Sequence, residues 1–240
     1  MVGLVSDKGL KRALNEDSAC YLERQNFKIY VVADGMGGHN AGEVASKMAT
    51  DYIVRYIDEN YSSEEDKATL ISKAIKAANE EIFTFSKTND KLNGMGTTVT
   101  AGLMTPQNIY IANVGDSCCM AFKNGELKKI TKDHSLVQEL LDSGTISELE
   151  AINHPKKNII TRALGTSSDV NVDVFKIEAD EYDLFMLCSD GLTNEITREE
   201  ILEIINSESN YISIANDLVN LAKVKGGRDN ITVLLFGGEM

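Results

Sequence analysis

The stretch that most constrains this chain is Ile29-Tyr30-Val31-Val32-Ala33-Asp34-Gly35-Met36-Gly37-Gly38. An apolar run stops at one carboxylate, and three of the next four residues are glycine. The run reads as a strand, and a helical pattern resumes from about Glu43. A strand that stops at an aspartate, beside glycines that let backbone approach closely, is suited to holding a cation or a phosphate. Asp34 is therefore the candidate around which the rest of the chain is arranged.

On either side, strand patterns alternate with helix patterns. Residues 2–6 and 18–23 read as strands, and Gln25-Asn26 turns the second into 28–33 as a hairpin. Residues 41–60 form a helical pattern with Val44, Met48, Tyr52 and Tyr56 on one stripe, widened by Ala45, Ala49 and Ile53. Acids at Glu64-Glu65-Asp66 open a second helix that runs to about Lys87. Residues 96–130 read as four short strands in an antiparallel meander, with Asn124-Gly125 as a hairpin turn.

A weakly patterned excursion follows at 132–165, with one short helix at 135–143 and another starting near Ser147. Excursions of this kind inside a compact domain are usually functional or mobile. Strands at 171–177 and 182–188, helices at 198–207 and 211–224, and a strand at 231–236 complete the pattern. No linker or repeat interrupts it, and the only prolines are Pro106 and Pro155. One domain over 1–240 is expected, with sheets sandwiched between two helical pairs, α/β in layered order.

Composition narrows the partners. The 240 residues carry 24 basic and 37 acidic side chains, a formal charge of −13, which argues against nucleic acid and anionic membrane. No run approaches the ~18 apolar residues of a membrane span, and the first residues are too polar for a signal peptide. Cys20, Cys118, Cys119 and Cys188 lack zinc-site spacing and read as free thiols in a reducing compartment. A cytoplasmic monomer is the expectation.

The Asp34 pattern recurs. Val114-Gly115-Asp116, Cys188-Ser189-Asp190-Gly191 and Gly227-Arg228-Asp229-Asn230 each place an aspartate near glycine at the edge of an apolar run, and Glu16-Asp17 precedes the second strand. One such aspartate is most often only a turn. Several together suit a hard cation such as Mg²⁺ or Mn²⁺, which takes oxygen ligands. A cation also explains how the acids could coexist, because ionised carboxylates crowded in a low-dielectric cleft repel one another.

Read in order, the motifs are Arg12-x-x-Asn15-Glu16-Asp17, Asp34-Gly35-Met36-Gly37-Gly38-His39, Gly94-x-Gly96-Thr97-Thr98, Asn113-Val114-Gly115-Asp116-Ser117, Ser189-Asp190-Gly191-Leu192 and Gly227-x-Asp229-Asn230-x-Thr232. Together they resemble the metal-dependent Ser/Thr protein phosphatases of type 2C, most closely the compact bacterial members. The resemblance covers essentially the whole chain. It implies an αββα sandwich of two antiparallel sheets flanked by helical pairs, with a flap at about 132–165.

It further implies that Asp34 bridges two metal ions and that the Gly35 carbonyl binds one of them. Asp190 and Asp229 would complete the first ion's shell, and the Glu16-Asp17 pair would serve the second, directly or through water. Asp116 with Asp190 would hold a third, weaker ion, and Arg12 would clamp the substrate phosphate. Arg12, Asp34 and Asp190 are thus the implied catalytic residues. The implied reaction is hydrolysis of phosphoserine and phosphothreonine in proteins by a metal-activated water, using Mn²⁺ or Mg²⁺. Implied partners are phosphorylated proteins and a cognate Ser/Thr kinase. Two rivals are a catalytically weak relative serving as a phosphoprotein-binding scaffold and a switch phosphatase dedicated to one regulator. A scaffold would be expected to lose ligands, and this chain keeps Asp34, Asp190 and Asp229.

Some positions depart from the family or invite other readings. Met36 stands where many eukaryotic members have a histidine proposed as general acid, which leaves the leaving-group acid unassigned. His39, three residues on, could be proposed as that acid instead, although a helix-start histidine packing the loop is the better reading. Cys118 stands where arginine is usual, removing one positive charge near the acids. His134, in Asp133-His134-Ser135, reads as structural, because adjacent residues cannot form a Ser-His-Asp triad. Lys156, Lys157 and Arg162 are basic residues against an acidic background and are candidates for receiving phosphorylated segments.

Overall fold

The computed structural model of the chain describes residues 1–37, 41–152 and 154–240, so His39 lies outside the described residues. The elements are β1 (Val2–Asp7), β2 (Asp17–Glu23), β3 (Lys28–Met36), α1 (Ala41–Asn60), α2 (Lys67–Ser86), β4 (Gly96–Thr97), β5 (Val99–Met104), β6 (Asn108–Val114), β7 (Cys118–Lys123) and β8 (Glu126–Lys129). There follow α3 (Leu136–Asp142), α4 (Glu148–Ile152), β9 (Asp173–Glu178), β10 (Leu184–Cys188), α5 (Asp190–Thr193), α6 (Arg198–Ser207), α7 (Tyr211–Lys225) and β11 (Ile231–Gly237).

Side-chain alternation along β3 explains the layering. Ile29, Val31 and Ala33 point into a core shared with α1 and α2, while Tyr30 and Val32 point into a second core against the opposite sheet. A strand covered on both faces reads as a continuous apolar run. One sheet has the order β2-β3-β5-β6-β9, with β4 added beside β3, and the other has β1-β11-β10-β7-β8; every pairing is antiparallel. A third core lies between the second sheet and α5, α6 and α7. The inter-sheet core is organised by Phe236, which stacks on Tyr30 at 4.0 Å and on Phe185 at 5.5 Å between ring centroids. The result is an αββα sandwich of two antiparallel sheets.

Three sequence expectations need correction. The meander over 96–130 is split: β5 and β6 pair in one sheet, β7 and β8 in the other, and β6 does not pair with β7. Gly115, at φ +111°, turns the chain from one sheet to the other. Second, β3 does not stop at Asp34. It continues to Met36 because Gly35 and Met36 pair with Thr97 and Gly96. Third, the most buried face of α1 is Ala41, Gly42, Ala45, Ser46, Ala49, Thr50, Ile53 and Ile57, with Val44, Met48, Tyr52 and Tyr56 only partly buried. Small residues win that face because α1 starts against β3. A Cβ on Gly35 would overlap the Gly42 carbonyl, and one on Gly42 would sit 2.7 Å from Glu16 Oε1.

The topology gathers one end of each sheet. Asp7, Ile231, Cys188 and Cys118 mark that end in one sheet, and Asp17, Asp34 and Val114 mark it in the other. The loops carrying Arg12, Glu16, Asp116, Asp190 and Asp229 all leave from there.

Candidate metal centre

Asp17 and Asp34 are directly paired across β2 and β3, so their carboxylates emerge side by side. The backbone of Asp34 is held from below by the Gly96-Thr97-Thr98 segment. Its N–H donates to Thr98 Oγ1 at 2.9 Å, and its carbonyl accepts from Thr98 N–H and Thr97 Oγ1, both at 2.9 Å. Thr98 Oγ1 in turn meets Ser117 Oγ at 2.7 Å. Asp190 opens α5 immediately after β10 and stands within carboxylic-acid-to-carboxylate hydrogen-bond reach of Asp34.

Asp17 is held by two hydroxyls. Ser189 Oγ and Thr232 Oγ1 both donate to its Oδ2 at 2.7 Å, while Oδ1 is buried and has no partner among the described residues. Arg12 Nη2 binds Asp229 Oδ2 at 2.7 Å and leaves the guanidinium half exposed. Asp116 has a second partnerless buried oxygen, Oδ1. Glu16 has a different posture: its carboxylate accepts from the Gly42 N–H at the start of α1. A Cβ on Gly42 would lie 2.7 Å from Glu16 Oε1 and 2.9 Å from the Gly35 carbonyl oxygen, so these two oxygens share one small space.

The electrostatics are those of crowded acids. Burial raises Asp34 well above the ordinary carboxylate range, and the charges of Asp17, Asp190, Asp116 and Asp229 add to it. Burial pushes Asp17 up to about 7 despite its two hydroxyl donors, with Asp190 and Asp229 contributing. Asp116 rises to about 7 through burial and the charges of Asp190 and Asp133. Asp190 rises through burial and Asp229, against the opposing hydrogen bonds of Asp34 and Asn194.

Among the described residues no group of three or more His, Cys, Asp or Glu side chains is drawn into a ready ligand shell. Asp17, Asp190 and Asp229 each accept from a neighbouring side chain. The donor set still fits a hard cation: it is all oxygen, two buried oxygens lack partners, and two acids stand close enough to share a proton.

Several supporting residues carried no individual role in the sequence reading. Asn230 is the chief one. Its Oδ1 accepts the Glu16 N–H at 2.8 Å, and its Nδ2 donates to the carbonyls of Lys8 and Leu14 at 2.9 and 2.8 Å, fixing the loop that carries Arg12. The only sequence signal was its place in the motif beside Asp229. Lys129 is another: tied to Asp133 at 2.6 Å, it places positive charge near Asp116, on the side where Cys118 replaces the usual arginine. Arg162 also has partners within the fold. Its Nη1 is engaged by Asp173 Oδ1 at 2.7 Å and the Asn171 carbonyl at 3.1 Å, so it braces the base of 132–165. His134 is structural, accepting the Gly115 N–H at Nδ1 and facing Asp173 with Nε2.

Comparison with known proteins agrees with this geometry. The family description "Protein phosphatase 2C" matches residues 10–231. The serine/threonine phosphatase stp of Listeria monocytogenes serotype 4b is 44% identical over 238 residues, covering 98% of this chain and 94% of the relative. The structure of serine/threonine phosphatase Stp1 from Staphylococcus aureus superposes with a TM-score of 0.92 at 36% identity, covering 98% of this chain and 93% of that one. The catalytic domain of serine threonine protein phosphatase PstP, solved in complex with two manganese ions, superposes with a TM-score of 0.86 at 36% identity, covering 98% and 96%. The acid-lined end of the sandwich and these likenesses lead to one assignment: the chain belongs to the protein phosphatase 2C family, and it is a metal-dependent protein-serine/threonine phosphatase.

Proposed function

We propose that residues 1–240 act as one catalytic domain that hydrolyses phosphoserine and phosphothreonine in proteins at a two-metal site. The observation that carries this reading is the Asp34–Asp190 pair, flanked by Asp17 with a free buried oxygen and by Asp229. Asp34 would be shared between two Mn²⁺ or Mg²⁺ ions, with Asp190 and Asp229 completing one shell. The Gly35 carbonyl and Glu16, which share a space at the start of α1, would serve the other, with Asp17 nearby. Asp116, facing Asp190, would hold a third ion. When bound, the ions supply an activated water and offset the charge of the phosphate.

The chain's own residues bind and orient. Arg12 keeps one nitrogen on Asp229 and presents the rest of its planar fork to the phosphate, which suits bidentate recognition. Asn194 Nδ2 fixes Asp190 Oδ2 at 2.8 Å, and Lys157 Nζ donates to Asn194 Oδ1 at 3.0 Å, linking segment 132–165 to the acids. That segment would act as a flap, with Lys156 and Lys157 receiving phosphorylated segments. Unchanged phosphopeptide kcat/KM after replacing both lysines would remove them from that role.

Joint retention of Asp34, Asp190 and Asp229 favours an active enzyme over a scaffold. The four free thiols suit a cytoplasmic setting, with a cognate Ser/Thr kinase as the opposing enzyme and a monomer as the working unit. Among the described residues no helix is long and apolar enough to cross a membrane. The test is hydrolysis of a phosphothreonine peptide with Mn²⁺ or with excess chelator, beside Asp190→Ala and with calorimetric Mn²⁺ titration of both proteins. Metal-dependent turnover lost in the variant is expected. Mn²⁺ binding without turnover would move the reading to a scaffold or to a switch dedicated to one regulator.

A further inference from the structure

Cys118 opens β7 and Cys188 closes β10, and the two are directly opposite in the antiparallel ladder. Their Sγ atoms are 3.6 Å apart and buried against α5, α6 and α7. Opposed residues in such a ladder hold their Cα atoms about 4.5–5.5 Å apart, within the roughly 4.4–6.8 Å that a disulfide spans. Only the sulfurs have to close, to about 2.05 Å. The other two cysteines have no such partner. Cys119 points into the inter-sheet core, and Cys20 lies on β2 in the other sheet.

We propose that Cys118 and Cys188 are a reversible oxidation site, forming an intramolecular disulfide on exposure to hydroperoxide, and that this cross-link lowers phosphatase activity. One sulfur attacks a peroxide oxygen, releasing water and leaving a sulfenic acid. The second sulfur displaces the hydroxyl from it, forming the S–S bond and a second water. Two thiols and one hydrogen peroxide thus become one disulfide and two waters, and a dithiol reverses the change. The pair sits at the last rung of its ladder, where local opening admits a small oxidant more readily than mid-sheet.

The link to activity follows from what lies next in the chain, and this half rests on the proposed metal site. Ser117 Oγ contacts Thr98 Oγ1, which accepts from the Asp34 backbone, and Asp116 is one residue further. Ser189 Oγ holds Asp17, and Asp190 is one residue further. Drawing the two sulfurs together pulls on both supports at once. Misplacement of reacting groups by about 1 Å costs on the order of a hundredfold in rate.

The experiment treats the full chain with hydrogen peroxide and reads free thiols, disulfide-linked peptides and phosphatase activity. The expected result is loss of two of the four thiols, a Cys118–Cys188 peptide, and a roughly tenfold to hundredfold fall in activity that dithiothreitol restores. Cys118→Ala and Cys188→Ala should keep their untreated activity and resist peroxide. Cys119→Ala removes the neighbouring thiol from the peptide map, which is read without relying on the other variants. Linkage through Cys119 or Cys20, or no thiol loss while the protein stays folded, would overturn the disulfide. A Cys118–Cys188 disulfide with full activity would overturn its coupling to the site.

Discussion

Replacing Asn230 with alanine tests whether the Arg12 loop is anchored as described. The side chain is 4% exposed and makes three hydrogen bonds to backbone groups of Lys8, Leu14 and Glu16, at 2.8–2.9 Å. Each is worth about 1 kcal/mol net, and the abandoned Glu16 N–H adds a desolvation cost of roughly 1 kcal/mol or more. The sum is ~3–4 kcal/mol. For a chain of this size that lowers Tm by about 6–15 °C. Freeing the loop also misplaces Arg12 and Glu16, so kcat/KM on a phosphopeptide should fall on the order of a hundredfold. Thermal unfolding by circular dichroism and initial rates at saturating Mn²⁺ read the two effects separately. A Tm within about 2 °C of the parent, with unchanged kcat/KM, would refute the claim that Asn230 anchors this loop.

Three other outcomes follow from the same geometry. Thr98→Val strips the Asp34 N–H of its acceptor and should cost about 1–3 kcal/mol in urea unfolding, with a parallel loss of turnover. Gly191→Ala should abolish activity, because the added Cβ would overlap the Asn230 carbonyl oxygen and force Asp190 and Asp229 apart; a variant with parental kcat would contradict this. Asp34→Asn should raise Tm in chelator, since it removes a charge that burial and neighbouring acids disfavour, yet it should forfeit the Mn²⁺-induced stabilisation of ~2.7 kcal/mol expected at a hundredfold excess over Kd.

His134 gives the pH-dependent prediction. Burial, aided by the charge of Arg162 and opposed by Asp173 and Asp133, lowers its pKa below 6.5. The unfolded chain therefore binds the proton first. Stability should fall as pH drops below about 6.5 and level off below the folded pKa. Urea unfolding across that window should show a weaker slope in His134→Gln.

Much of the fold was legible where the local pattern is strong. Helix 41–60 and helix 198–207 have the limits expected from the sequence, and α6 carries a Thr197/Glu200 capping box. The acids at strand ends were legible because apolar runs and aspartate-glycine turns are local signals. The change of sheet at Gly115 was not, since short strands carry no mark of which sheet they join. The support beneath the acids was also hidden. Ser189, Thr232 and Asn230 reach residues more than 170 positions away, and no spacing rule connects them. The bracing role of Arg162 was hidden as well, because its charge is visible in sequence whereas its partner Asp173 is known only from the fold. The half-buried stripe of α1 outweighed its main contact face, because alanine and glycine contribute little to a hydrophobic pattern.

The position of β11 between β1 and β10 has a consequence for how the enzyme comes into being. Asn230 ties itself to Leu14 across 216 positions, and Asp17 waits for Thr232. At roughly 5–20 residues per second on the ribosome, the early strands stand without their central neighbour for on the order of ten seconds or more. A chain still being translated therefore cannot dephosphorylate anything until residue 231 and beyond have been added. Its first loop, with Arg12 already present, remains exposed to proteases and chaperones until that last strand slots in.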